Sequence, residues 1–377
     1  MASHITGRYL ISPASLLFAD HMSPAASSHQ PSRSPDPWLA VNYALLCPGL
    51  GQLYSQHRGK GWMMVGLTGG LLLFALWSIF GAAGNTIYGF WALGFLAILY
   101  SLSILDAYRG TQADYGSRIT VPKGRRDVWY AVFLSQLLPG LGHLYSQQAV
   151  TGGILLVLGI GTAWLANLYP PLIPLPPTIW AFSCYHLYQT FPQRQQRQST
   201  AIALLVLGLF ITRLVVGNAP QWVNHSFIQC VVPTESMLPT LQVGDRLFVR
   251  RHTQFEPAAR DIVVFQPPAA LSAQRPSLDA DTLFVKRIIA LPGQTVEVVD
   301  QQVKVNGQPL VEPYVQSRPP YRWGPAQVPP RSYFVLGDNR NQSSDSHIWG
   351  YLPADKILGR AYKIYWPPNR IQALPGG

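Results

Sequence analysis

Pro233-Thr234-Glu235-Ser236-Met237-Leu238-Pro239-Thr240, followed fifty residues on by Phe284-Val285-Lys286-Arg287-Ile288-Ile289, is the pair of segments that decides the second half of this chain. The later segment is a β-branched apolar run with a lysine inside it. Strand alternation puts Phe284, Lys286 and Ile288 on one face and Arg287 on the other, toward solvent. Burial disfavours an ammonium and lowers its pKa, so a neutral amine can exist near neutral pH. A neutral amine within reach of a serine hydroxyl is a general base. Ser236 as nucleophile and Lys286 as base then make a Ser-Lys hydrolytic pair. Each residue also has a plainer reading by itself: Ser236 as a capping serine in a turn, Lys286 as a strand lysine reaching to water.

Around these segments lie short alternating runs: Leu247–Arg250, Ile262–Phe265, Leu283–Ile289, Val296–Val299, Val303–Val305, Tyr333–Leu336 and Ala361–Tyr365. Asn306-Gly307 is a hairpin signal between two of them. The expectation is a mainly-β domain over residues 222–377, a folded sheet or open barrel. Gly337–Ser346, taken alone, reads as a polar loop rich in Asn, Asp and Ser.

Ahead of this domain the composition changes. Hydrophobic residues make up 48% of the chain and charged residues only 12%. Nearly all long apolar runs precede Gly217, so an α-helical polytopic membrane region is expected before the β domain. Pro48-Gly49-Leu50-Gly51-Gln52-Leu53-Tyr54-Ser55-Gln56 recurs as Pro139-Gly140-Leu141-Gly142-His143-Leu144-Tyr145-Ser146-Gln147. The membrane region, residues 39–192, is therefore read as two copies of one unit, 39–106 and 128–192. Residues 1–38, rich in Ser, Pro and His, are read as disordered. Expected spans are Gly61–Phe80, Thr86–Leu105, Gly152–Leu168, about Leu175–Phe191, and a final helix over 200–217. Arg109, Arg118, Lys123, Arg125 and Arg126 in one loop, with Arg194 and Arg197 in another, mark the cytoplasmic side. Five spans satisfy this only if the two Pro-Gly-Leu-Gly segments dip in without crossing. The N-terminus is then cytoplasmic, and everything after the last span is periplasmic or lumenal.

Four blocks in order carry a resemblance to the type I signal peptidase family. They are Ser236–Leu241 with Gly244-Asp245, Arg260–Phe265, Val285–Gly293 and Gly337–Ser346. One block would be weak evidence, but four in the family's order are specific. The resemblance implies a signal-peptidase-like catalytic domain with Ser236 as nucleophile and Lys286 as general base. It implies that the hydroxyl of Thr234, where Ser is common, helps the Ser236 backbone N–H hold the oxyanion. Ser343 is expected to orient the lysine amine, with Asp345 and Ser346 as its support. Val232, Leu241 and Val285 are expected to line small apolar pockets for the residues before a signal-peptide cleavage site. Cys230–Pro233 and Leu283–Val285 would flank an extended peptide. The chain departs from the pattern at His347, where Arg is common, and at Arg260, where Gly is common. A turn at Arg260 is expected to avoid positive φ.

No cofactor, metal or nucleotide is implied. Cys47, Cys184 and Cys230 show no paired spacing, and no metal-binding histidine pattern occurs. The net charge of +11 is assigned to loops flanking the membrane, not to nucleic acid. The expected partners are signal peptides of preproteins and the lipid bilayer, with the secretion translocon as a further candidate. Two rival readings are a Ser-Lys self-cleaving regulator and a membrane scaffold or transporter carrying an inactive peptidase domain.

Overall fold

The computed structural model describes residues 35–116, 126–191, 199–251, 256–276, 279 and 282–375. Its first half is helical: α1 (Pro37–Leu46), α2 (Leu50–Tyr54), α3 (Arg58–Phe80), α4 (Thr86–Gly116), α5 (Val128–Leu137), α6 (Leu141–Tyr145), α7 (Ala149–Leu168), α8 (Leu175–Thr190) and α9 (Ser199–Ser226). Residues 1–34 of the segment expected to be disordered lie outside the described residues, but its last residues belong to α1, which Asp36 caps. Its carboxylate accepts from the Trp38 and Leu39 amides at 2.9 and 3.1 Å.

The repeated Pro-Gly-Leu-Gly motif is a helix reversal. Gly49 and Gly140 take φ of 102° and 89° between the two short helices of each copy. A side chain there would also strike the next helix. A Cβ on Gly49 would lie 2.4 Å from the Gly61 carbonyl, and one on Gly140 would lie 2.1 Å from that of Gly152. Each copy repeats the same lock, with the Gly49 N–H donating to Ser103 Oγ at 3.1 Å and the Gly140 N–H to Ser183 Oγ at 3.0 Å. A ten-residue helix spans about 15 Å, half of a ~30 Å hydrocarbon core. The Asp36 N–H donates to the Tyr54 hydroxyl at 3.1 Å, so α1 starts at the level where α2 ends. Exposed carbonyls at the tips are met from neighbouring helices. Tyr100 donates to the Leu45 carbonyl, and Arg213 and Trp180 donate to that of Gln136 at 2.6 and 3.2 Å. Backbone at membrane depth needs such partners.

Among the described residues four helices are long and apolar enough to cross a membrane: Arg58–Phe80, Thr86–Gln112, Ala149–Leu168 and Ser199–Ser226. Their outer faces expose Trp62, Phe90, Trp91 and Trp164. The fourth expected span, α8, has only 16 residues. It nevertheless returns along α7, since the Gln148 side chain at the start of α7 meets Thr190 at the end of α8. The proline cluster before it forms a 3₁₀ turn at Pro170–Leu172. The last helix overruns its expected end at Gly217 and continues through Pro220 to Ser226. Apolarity stops near Gly217 but helicity does not, because one proline removes a single amide donor.

The second half holds β1 (Phe227–Val231), β2 (Arg246–Arg251), β3 (Ile262–Phe265), α10 (Ala269–Gln274), β4 (Phe284–Ala290), β5 (Thr295–Val299), β6 (Gln302–Val305), β7 (Gln308–Pro309), β8 (Trp323–Gln327), β9 (Ser332–Leu336), α11 (Ser346–Trp349), β10 (Leu352–Pro353), β11 (Ile357–Trp366) and β12 (Gln372–Ala373). The larger sheet runs β1-β2-β11-β3-β4-β9-β10, with β12 beside β11, and the smaller runs β7-β6-β5-β8. Every pairing described is antiparallel. Asn306 and Gly307, at φ 53° and 77°, make the hairpin turn between β6 and β7. Phe80, ending α3, packs on Phe227 and Phe248 at 5.3 and 5.6 Å. The β domain thus sits where α3 and α9 finish. The C-terminus of α4 and the N-terminus of α9 lie at the opposite end. Residues 117–125 and 192–198, with Arg118, Lys123, Arg125, Arg194 and Arg197 in them, fall outside the described residues.

Candidate active site

Ser236 sits in a single 3₁₀ turn, Glu235–Met237, immediately after the first strand. Met237, fully buried with Val232, Leu241 and Leu247, anchors this turn to the core and leaves Ser236 half-exposed. Lys286 comes from the middle of β4, paired opposite Val263 of β3. Its Nζ lies 2.8 Å from Ser236 Oγ and donates to the Val285 carbonyl at 3.0 Å. The lysine is only 4% exposed. Burial lowers its pKa to about 8, against the opposing pull of the Asp345 and Asp338 carboxylates. The amine is therefore available in its neutral form close to physiological pH. The Thr234 hydroxyl donates to Ser236 Oγ at 3.3 Å from an exposed position.

Both residues open onto a cleft of about 350 Å³, walled by Val232–Met237 on one side and Thr282–Lys286 on the other. β9 pairs with β4 only from Arg287 to Ala290, whereas β3 pairs with Phe284–Arg287. Among the described residues, Phe284–Lys286 therefore has a strand on one side only. Backbone groups along the other edge can take an extended peptide. Val232 and Val285 line this cleft. Leu241 does not: it is wholly buried in the core beneath, as its place in the apolar cluster requires.

The Gly337–Ser346 loop stands behind the lysine. Asp345 accepts from the Gly337 amide at 2.9 Å and from His347 Nδ1 at 2.6 Å. Ser346 Oγ accepts from the Val335 amide at 3.0 Å, fixing the loop to β9. Ser343 Oγ is buried without a hydrogen-bond partner, so it makes no bond to the Lys286 amine. It is pressed instead against Gly337, where a Cβ would fall 2.2 Å from it and 2.4 Å from the Ser236 carbonyl oxygen. Only glycine lets these three backbone segments converge.

Two further expectations fail here. Arg287, expected at solvent, is fully buried. β4 lies between β3 and β9 and is covered on both faces, so alternation offers no wet side. Its guanidinium pairs with both oxygens of the fully buried Asp338 at 2.8 and 2.6 Å and lies over the Tyr314 ring at 3.9 Å. Arg260, expected to avoid positive φ, adopts φ 74°. Its amide donates to Ile288 O at 2.8 Å and its carbonyl accepts from Arg287 Nη1 at 3.0 Å, which holds the strained turn in place. Sequence reasoning passed over Arg287, Asp338, Gly337 and the pairing of Arg340 with Glu312. All but Glu312 fall inside the quoted motif blocks, which was the available signal.

Residues 202–366 match the family model described as "Signal peptidase, peptidase S26". Signal peptidase I of Leptolyngbya laminosa is 54% identical over 145 residues, which are 38% of this chain and 70% of that protein. A probable signal peptidase I of Synechocystis sp. is 47% identical over 141 residues, 37% of this chain and 71% of that protein. Thylakoidal processing peptidase 1 of Arabidopsis thaliana is 41% identical over 143 residues, 37% and 42% of the two chains. A crystal structure of a signal peptidase I from Enterococcus faecalis aligns with 28% identity over 28% of this chain and 97% of that one, at a TM-score of 0.23. With motif blocks and relatives of this identity in agreement, the chain belongs to the signal peptidase I family of serine endopeptidases.

Proposed function

We propose that this protein is a membrane-bound endopeptidase that removes signal peptides from exported preproteins, with Ser236 as nucleophile and Lys286 as general base. The observation that carries the reading is the 2.8 Å contact between a buried lysine amine and a serine hydroxyl beside an open strand edge. Ser236 Oγ attacks the scissile carbonyl while the neutral Lys286 amine takes its proton. The lysine passes that proton to the departing amine, and the peptide C–N bond breaks to leave an ester on Ser236. Water, deprotonated by the same lysine, hydrolyses the ester. Asp345, Ser346 and Gly337 hold the wall against which the lysine is set, and Ser343 packs on Gly337. Val232 and Val285 present a shallow apolar surface suited to small residues before the cleavage site.

Activity depends on a neutral amine, so cleavage rates should climb with pH through about 8 and level off above it. Initial rates on a fixed peptide across pH 6–10 read this out, with chelators having no effect. A profile that falls over that range, or activity lost to a chelator and restored by zinc, rejects the mechanism.

The Thr234 hydroxyl is proposed to donate to the oxyanion once Ser236 has reacted, a role supported by its 3.3 Å contact with Ser236 Oγ. Thr234→Val should cut the rate about 100-fold or more with little change in KM, and Thr234→Ser should stay active. An unchanged rate in the valine variant removes Thr234 from the oxyanion site.

The β domain is proposed to face the periplasm or lumen of a bacterial-type plasma or thylakoid membrane, with the N-terminus cytoplasmic. The basic residues that the sequence carries between α4 and α5 and between α8 and α9 support this orientation. Single-cysteine variants in a cysteine-free background should label from outside at residue 322 and not at residues 120 or 195. Outside labelling at 120 or 195 reverses the topology.

A further inference from the structure

The β domain meets the membrane helices covalently, where α9 runs straight into β1. Phe80 also packs on Phe227 and Phe248, and Arg251 Nε donates to the Asn224 carbonyl of α9 at 3.1 Å. The charged joint lies on β11. Lys363 is fully buried, and its Nζ donates to the carbonyls of Ser78, Ile79 and Gly81 at 2.9, 2.9 and 3.1 Å. The Tyr362 hydroxyl donates to the Phe80 carbonyl at 2.9 Å. Ser78, Ile79 and Phe80 form the last turn of α3, whose carbonyls have no amide ahead of them in the helix. A cation is favoured at such an end by the helix dipole.

Neighbours in a regular strand point to opposite faces, so Tyr362 and Lys363 should not both reach the same helix end. They do because the pairing of β11 with β2 shifts register between Ala361 and Lys363. A bulge of this kind re-aims side chains. From this joint the sheet leads to the site. Arg360 pairs with Val263, and Val263 pairs with Lys286.

We propose that Lys363 and Tyr362 are positioning residues that lock the cleft at a fixed height above the membrane on the end of α3. A membrane-held substrate then presents one particular peptide bond to Ser236. The proposal rests on the peptidase reading above and gives the membrane bundle a part in it. Without them the Ser226–Phe227 link, the Arg251–Asn224 bond and the Phe80 ring contacts remain, but no side chain grips the carbonyls at the end of α3 and the domain can tilt. One extended residue spans about 3.3 Å, so a tilt of that size exchanges one scissile bond for the next.

The test uses the full-length protein with two substrates: a soluble peptide spanning a cleavage site, and a full preprotein co-reconstituted in liposomes. Lys363→Met should leave peptide kcat/KM within about twofold of wild type. Preprotein cleavage should fall about tenfold or more and spread to neighbouring positions, read by mass spectrometry of the products. Lys363→Arg should restore rate and position, and Tyr362→Phe, which removes one hydrogen bond and no charge, should fall between. Equal loss on both substrates would mean that Lys363 merely supports the sheet, and the proposal fails. Wild-type rate and product position on the preprotein in both Lys363→Met and Tyr362→Phe also overturn it. The two readings separate cleanly. If Ser236→Ala still cuts the peptide, the peptidase mechanism is wrong. If wild type cuts both substrates and the joint variants match it, only the positioning role is lost.

Discussion

Ser236→Ala and Lys286→Ala should each abolish cleavage, and the double variant should be scarcely slower than either single one. The two side chains meet at 2.8 Å and act on one proton, so removing either removes the unit. Losses of at least about a thousandfold are expected for each single variant, with strong non-additivity in the pair. Lys286→Met serves as the cleaner partner. It keeps most of the stem's volume in a site that is almost wholly buried, and it deletes only the base. The Asp345 and Asp338 carboxylates keep their bonds to Gly337, His347 and Arg287, so the fold should hold. Circular dichroism and melting temperature confirm the fold, and single-turnover rates give the loss. Appreciable turnover by either lysine variant, or losses that multiply in the double variant, would break the pairing of Ser236 with Lys286.

The largest stability effect should come from Asp338→Ala. Asp338 and Arg287 are both fully buried and bonded through two parallel contacts. Removing the carboxylate strands a guanidinium in the interior, at a cost of about 3–5 kcal/mol. For a domain of this size each kcal/mol lowers the melting temperature by about 2–4 °C. The combined Arg287→Met, Asp338→Leu variant should recover most of that loss, because no charge is then left unpaired. Thermal melts of the full-length protein in detergent decide it. An Asp338→Ala variant as stable as wild type would mean that the pair contributes nothing to holding β4 against the Gly337 loop.

Lys286 was legible because it interrupts an apolar strand, and a charge in such a place needs a cause. Arg287, one residue on, was not. Alternation assigns one wet face to every strand, and nothing local announces that Asp338 and the Tyr314 ring cover the second face of β4. Asp338 and Gly337 stand inside a quoted motif, but their roles depend on contacts distant in sequence: Arg287 and Thr240, 51 and 98 residues from Asp338, and the Ser236 carbonyl. Leu241 was assigned to the substrate pocket, yet a leucine in a turn packed under Met237 faces inward. The duplication is visible in the two Pro-Gly-Leu-Gly segments, and the structure turns each copy back between two short helices. The serines that lock each reversal, Ser103 and Ser183, carry no sequence mark. Nor does the joint at Tyr362 and Lys363, which arises from a bulge that only pairing reveals. The overrun of α9 to Ser226 shows the same limit: hydropathy reports where lipid stops, not where a helix does.

The central claim is that Ser236 cuts preproteins at the end of their signal peptides. Purified full-length protein in detergent, incubated with an exported preprotein, tests it through N-terminal sequencing of the product. The expected result is one new N-terminus immediately after a small residue at the end of the signal peptide, formed by wild type and absent with Ser236→Ala. An uncut preprotein, or the same product formed equally by Ser236→Ala, would contradict it.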